Sequence, residues 1–135
     1  MSMFKIFDVS GSAVSAQTQR LNVVASNLAN VDTIEGPDGK PYKGRQVMFQ
    51  TVLMGEQTSA GVRVSDVVES TDKARMMYAP QHAKANAEGY VEGSNVSAVE
   101  EMVNMISASR SYQNNVEVMN TAKSLLLKTL QMGQS

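Results

Sequence analysis

Apolar residues recur at intervals of seven near both ends of this chain, and this spacing limits the possible folds more than any other feature. No proline interrupts the segment from Phe4 to Asn30. A seven-residue repeat places its members on one stripe of an α-helix, which is the pattern of coiled-coil packing. We therefore predict a long N-terminal helix. Its packing stripe consists of Phe7, Val14, Leu21, Val24 and Leu28.

A second long helix is predicted from Ala98 to Met132. Ser97 and Glu100 form a capping box at its start, because the serine hydroxyl can accept an amide of the first turn while the glutamate reaches back to the cap. Together the helices would be roughly 40 and 50 Å long, and their stripes can pair antiparallel. The stripe of the second helix consists of Met102, Met105, Tyr112, Val116, Met119, Leu126 and Leu130.

The middle of the chain has a different pattern. A turn signal at residues 35–39 precedes β-forming residues from Tyr42 to Leu53, and further short strands are predicted at residues 62–67 and 76–78. We predict a mainly α fold with a small β region, in which long terminal helices pair as an antiparallel coiled coil around an extended β-hairpin-like insert. Residues 1–31 and 96–135 would form the coiled-coil domain, and residues 32–95 the β-rich connecting region.

Charge is depleted at both ends of the chain. Residues 1–31 hold three charged side chains and residues 96–135 hold six, whereas the other sixteen lie in residues 32–95. One interpretation is a polar, weakly stable helix on a monomer. The other is burial of several helix faces against further protein, because charge depletion is typical of buried protein contacts and a two-helix layer leaves its stripes uncovered. We predict the second.

Residue patterns that carry chemistry are scarce. The single histidine, His82, lies in a polar stretch, the chain has no cysteine, and no nucleophile elbow, phosphate loop or zinc spacing occurs. We expect no catalytic residue, metal or cofactor, and therefore no enzyme. With a net charge of −1, the chain lacks the excess of basic residues that is typical of nucleic-acid-binding proteins. No apolar run approaches the ~20 residues of a membrane span, and so we expect no direct membrane insertion. The N-terminus also has no apolar run of signal-peptide length, and so we expect no cleaved secretory signal.

Two sequence motifs resemble a known family. The run from Ala16 to Leu21, followed by residues 25–30 and Thr33, resembles the motif with which bacterial flagellar rod and hook proteins begin. The insertion at residues 37–43 is similar to that of the proximal-rod members, and the C-terminal run agrees, although Ser94 stands where the family commonly has proline. The residues that carry the resemblance are Gln17, Arg20, Asn27, Asn30, Thr33, Tyr42, Gly89 and Tyr90.

The resemblance implies a structural role. It implies a subunit of the proximal rod of the flagellar basal body, polymerising through its terminal helices into part of the torque-transmitting shaft that crosses the periplasm. Expected partners are further copies, other rod proteins, the flagellar type III export gate with its adaptor, and the surrounding ring bushing. Export would proceed without a cleaved signal. The alternative is a small helical adaptor or export chaperone that binds one partner through an amphipathic helix.

Overall fold

Two long helices bracket four short strands. The computed structural model describes residues 3–55 and 59–134. In chain order the elements are α1 (Met3–Ala29), β1 (Arg45–Leu53), β2 (Ala60–Glu69), β3 (Met76–Tyr78), β4 (Tyr90–Glu92) and α2 (Ala98–Gly133). The prediction of terminal helices around a small β region is confirmed, and both helices lie within one residue of their predicted ends.

The strands form two separate antiparallel sheets. In the larger sheet β1 pairs with β2, and a bulge interrupts the register because Met48 pairs with Asp66 while Phe49 pairs with Val64. In the smaller sheet β3 pairs with β4. The insert is therefore two hairpins rather than one, and β4 is absent from the sequence-based prediction.

Contacts between the helices organise the fold. Helix α2 packs extensively against α1, and α1 also packs against β1 and β2. Helix α1 is thus the central element, with α2 on one side and the larger hairpin on another. Among the described residues the buried apolar side chains are Ala16, Val24, Val91, Val96, Ala108 and Ala122.

The ends of the helices follow from local hydrogen bonds. Asn30 ends α1, because its main-chain N–H and its Nδ2 both donate to the Ser26 carbonyl, and its Oδ1 accepts from the Thr33 hydroxyl. At the start of α2, the Ser97 hydroxyl accepts from the Glu100 N–H at 3.5 Å. The predicted cap is confirmed for Ser97, whereas no reciprocal bond from the Ser97 N–H to the Glu100 carboxylate is present among the described residues. Glu100 also places negative charge at the positive end of the helix dipole.

Candidate assembly surface

The seam between the helices has a seven-residue repeat on α2. Met105, Tyr112, Met119 and Leu126 of the predicted stripe are all partly buried. The second row of the seam is composed of small side chains, because Ala108 and Ala122 are the buried residues of this helix. The sequence pattern instead favours a row containing Met102, Val116 and Leu130. Of these only Val116 is partly buried, and Met102 and Leu130 are exposed.

The predicted stripe of α1 lies at partly buried positions. Phe7, Val14, Leu21 and Leu28 are each partly covered, and Val24 is buried. Between them lies Ser10, which is 5% exposed. Small residues at Ser10, Ala108 and Ala122 allow two helix backbones to approach closely, in a way that larger side chains would prevent.

A second apolar surface on α2 is exposed in the single chain. Val99, Met102, Val103 and Ile106 are between 54% and 72% exposed. At about 100° per residue these four side chains lie on one stripe, on the side of the helix away from Met105 and Ala108. We call these four residues the outer face of α2. Contiguous exposed apolar side chains of this kind are typical of protein interaction sites.

Apolar side chains in the C-terminal half of α2 are also exposed. Val118, Leu125 and Met132 recur at intervals of seven and are 46–77% exposed. Every residue from 127 to 134 is exposed. We call residues 127–134 the tail of α2. Its residues Leu127 and Leu130 are 50% and 55% exposed, which is the property expected of a segment that packs on another molecule.

The side chain of Asn27 connects the helices to the β region through hydrogen bonds. Its side chain is 1% exposed. The Nδ2 group donates to the Arg45 carbonyl at 2.8 Å and to the Glu101 carboxylate at 3.1 Å. The Oδ1 atom accepts from the Tyr42 hydroxyl and from the Arg45 N–H, each at 2.9 Å. All four hydrogen-bonding positions of the amide are therefore used, and they connect α1, the segment before β1, β1 itself and α2.

The turn at residues 36–40 is held against the β region by Lys84. Gly39 has a φ of 75°, a conformation that glycine adopts without steric cost. The Lys84 ammonium forms an ion pair with Glu35 at 2.7 Å and donates to the Gly39 carbonyl at 3.0 Å. The turn in the insertion thus contacts the segment at Lys84.

Gly89 and Tyr90 shape the smaller sheet. Gly89 has a φ of 87°, and a Cβ there would lie 3.0 Å from the Tyr78 ring and 3.1 Å from Pro80. The rings of Tyr78 and Tyr90 meet edge to face with centroids 5.3 Å apart. Only glycine therefore fits at position 89, and the adjacent tyrosine closes the hairpin.

Of the remaining motif residues, Arg20 and Gln17 make no side-chain hydrogen bond with a described residue. The Gln17 Oε1 atom is buried, and Arg20 is partly buried.

Ser94, at the position where the resemblance leads one to expect proline, is fully buried, and its hydroxyl donates to the Val31 carbonyl. Serine thus ties the strand region to the end of α1, a bond that proline could not make.

Features of an enzyme site are lacking in the part of the chain that the structure describes. Residues 3–55 and 59–134 contain no group of three or more His, Cys, Asp or Glu side chains placed to hold a metal ion. His82 is exposed, and its Nδ1 accepts from the Lys84 N–H at 3.1 Å. None of the described helices is apolar over a stretch long enough to cross a bilayer.

Comparison with known proteins gives a consistent result over the whole chain. A family model described as "Flagella basal body rod protein" matches residues 7–34, and one described as "Flagellar basal body rod FlgEFG protein C-terminal" matches residues 87–132. The chain is 54% identical to the flagellar basal-body rod protein FlgC of Yersinia enterocolitica. It is 53% identical to that of Salmonella typhimurium and 43% identical to that of Buchnera aphidicola subsp. Acyrthosiphon pisum. Each match covers 99% of this chain and 100% of the relative.

Proposed function

The chain belongs to the FlgC family of flagellar basal-body rod proteins, and from this premise we propose that it builds the proximal part of the rod by polymerising through its terminal helices. It is a structural subunit of the basal-body rod and not an enzyme. The full-length similarity to rod proteins carries this conclusion. Within the rod the subunit would transmit torque, together with other rod proteins.

The proposal includes an antiparallel coiled coil of α1 and α2. The hydrogen bond between Asn27 and Glu101 joins the last turn of α1 to the first turn of α2, as that arrangement requires. The partly buried repeat from Met105 to Leu126 and the buried Ala108 support pairing along the helix length. On this proposal residues 1–31 and 96–135 act as one coiled-coil domain, and residues 32–95 as a β-rich region that contacts neighbours.

The surfaces of α2 that α1 does not cover are the proposed contacts with neighbouring subunits. The outer face of α2 and its tail expose large apolar side chains, and burial of apolar surface is the dominant favourable contribution to most protein association. Predicted packing residues that are exposed in the chain alone, Met102 and Leu130, belong to these surfaces. We also propose passage through the flagellar type III export gate with its adaptor, without a cleaved signal, and contact with the ring bushing.

A charge placed on the outer face tests the assembly proposal. The double variant Val103→Asp/Ile106→Asp should abolish rod assembly and motility, because two carboxylates would have to be desolvated in the contact. The measurement is recovery of basal bodies, with cryo-electron microscopy of the rod, from cells in which the variant replaces the native subunit.

The matched control is Ser107→Asp, which adds a carboxylate at an exposed polar position on the same turn. We expect this variant to assemble, and circular dichroism of both purified monomers to match that of the parent. A normal rod built from the double variant would refute the proposal that α2 assembles through its outer face.

A further inference from the structure

A cleft forms where α1, β1 and α2 meet. It has a volume of about 230 Å³, well above the roughly 10–15 Å³ that a cavity needs to hold one water molecule. Side chains from all three elements line it. They are Arg20, Val23 and Val24 of α1, Arg45, Gln46 and Val47 of β1, and Glu101 and Asn104 of α2.

The charges in this cleft are not balanced within the chain. Arg20 and Arg45 supply two guanidinium groups against the single carboxylate of Glu101. One oxygen of that carboxylate accepts from Asn27. Neither arginine forms an ion pair or a side-chain hydrogen bond with any residue of the described ranges. The cleft is therefore lined by two arginines whose donors are unused among the described residues, and of the two Arg20 is partly buried whereas Arg45 is exposed.

An unpartnered arginine that is partly buried calls for an anionic partner. Arg20 is partly withdrawn from solvent, and removal of a charge from water is costly unless the charge is paired. A guanidinium presents five N–H donors in a planar fork that matches a carboxylate with two parallel hydrogen bonds. The cleft is thus suited to a carboxylate that enters from outside.

The location of the cleft indicates the side from which that carboxylate enters. Glu101 and Asn104, which line it, lie on the side of α2 that faces α1, opposite to the outer face. A neighbouring subunit therefore reaches the cleft over α1 and β1, and not over Val103. We propose that an acidic side chain of the adjoining rod subunit inserts between Arg20 and Arg45 when the rod assembles. This inference rests on the proposed function and names a polar contact on the side of α2 opposite to the outer face.

Substitutions at Arg20 test the proposal. Arg20→Glu should weaken rod assembly at least tenfold, because hydrogen bonds between charged groups are among the stronger ones in proteins. Arg20→Lys should lose less than Arg20→Gln, since lysine keeps the charge but not the fork. The readouts are swarming rate and yield of basal bodies. Lys73→Glu, the same charge reversal at an exposed loop position, is the matched control and should assemble normally.

Second-site suppressors identify the partner. We expect suppressors that restore swarming to Arg20→Glu cells to replace an acidic residue of a rod subunit by a basic or neutral one. A photoreactive amino acid at position 20 should then cross-link to the same region of that subunit. Suppressors confined to Glu101 of the mutated chain, or a lowered melting temperature of the Arg20→Gln monomer, would show that the arginine acts within its own chain and would overturn the inference.

The two proposals fail in different ways. Normal assembly of Arg20→Glu, combined with failure of Val103→Asp/Ile106→Asp, would refute the proposed acidic contact and would still support assembly through α2. Normal assembly of both variants would remove both proposals.

Discussion

Asn27 joins four parts of the chain with one amide group. Its four hydrogen bonds reach Tyr42, both main-chain groups of Arg45, and Glu101. Because the side chain is 1% exposed, no water can replace a lost bond at that position without rearrangement. The residue therefore fixes the β region on the helices.

Replacement of Asn27 by aspartate should destabilise the monomer by about 2–4 kcal/mol. The change removes the Nδ2 donor and places a second carboxylate beside that of Glu101, so that buried acceptors face each other. Urea unfolding followed by circular dichroism measures the loss. Adding Glu101→Gln should recover part of it, because the glutamine amide can donate to the carboxylate introduced at position 27.

Asn22→Asp is the matched control for this prediction. Asn22 is exposed on the same helix, and substitutions of that kind usually change stability by less than about 0.5 kcal/mol. Equal losses for the two variants would contradict the role assigned to Asn27.

At the residue scale the sequence identified the positions but not their roles. Asn27, Asn30, Thr33, Gly89 and Tyr90 were selected as motif residues, and each has a defined structural contact. Those contacts join residues that are up to 74 apart in the chain, and no local pattern specifies such pairs. The positive φ of Gly89 depends in the same way on its surroundings in the smaller sheet.

At the element scale the spacing of apolar residues predicts both helices, whereas it predicts the packing between them only in part. The row from Met105 to Leu126 is apolar and has a clear period. The row with Ala108 and Ala122 gives a weak signal, since alanine is a good helix former at any position. Strand β4 is only three residues long and depends on pairing with β3. For these reasons neither feature is predicted from the sequence.

Ala108 provides the test of close helix packing. Ala108→Leu should destabilise the monomer by about 1–3 kcal/mol, because a residue with no exposed surface cannot accept a larger side chain without displacement of the facing helix. Thermal unfolding measures the effect. The control is Ser107→Leu at the adjacent, exposed position, which should leave the melting temperature nearly unchanged. A neutral Ala108→Leu would mean that the helices are not in close contact there.

At the scale of the whole molecule, the chain exposes more surface than its mass requires. Its accessible surface is 9345 Å², whereas a compact monomer of this mass would expose about 6,900 Å². The difference is of the size that an obligate protein interface covers. Charge depletion at the chain ends predicts from sequence that further protein covers such surface. The amount of exposed surface could not be predicted, because it depends on how much of each helix the other one covers.

Hydrogen exchange of the monomer should show which part of α2 is left uncovered by the rest of the chain. We expect amides of α2 from residue 127 onward to exchange with little protection, since every described side chain there is exposed. Amides near Ala108 and Tyr112 should be protected. The same experiment on isolated rods should show protection throughout α2. Uniform protection of α2 in a monomer shown by ultracentrifugation to be unassociated would contradict the proposal that the tail of α2 packs on another molecule.

The unequal lengths of the two helices give the proposed rod a direction. Helix α2 has 36 residues and α1 has 27, a difference of roughly 13 Å at 1.5 Å per residue. If such subunits stack head to tail, with each tail accepted by the next molecule, the contacts are heterologous, and the chain of subunits stays open when the rotation between them closes no ring. The two tips of the growing structure then differ chemically, since one presents unoccupied tails and the other presents the sites that receive them. New subunits would accordingly join one tip in a single orientation.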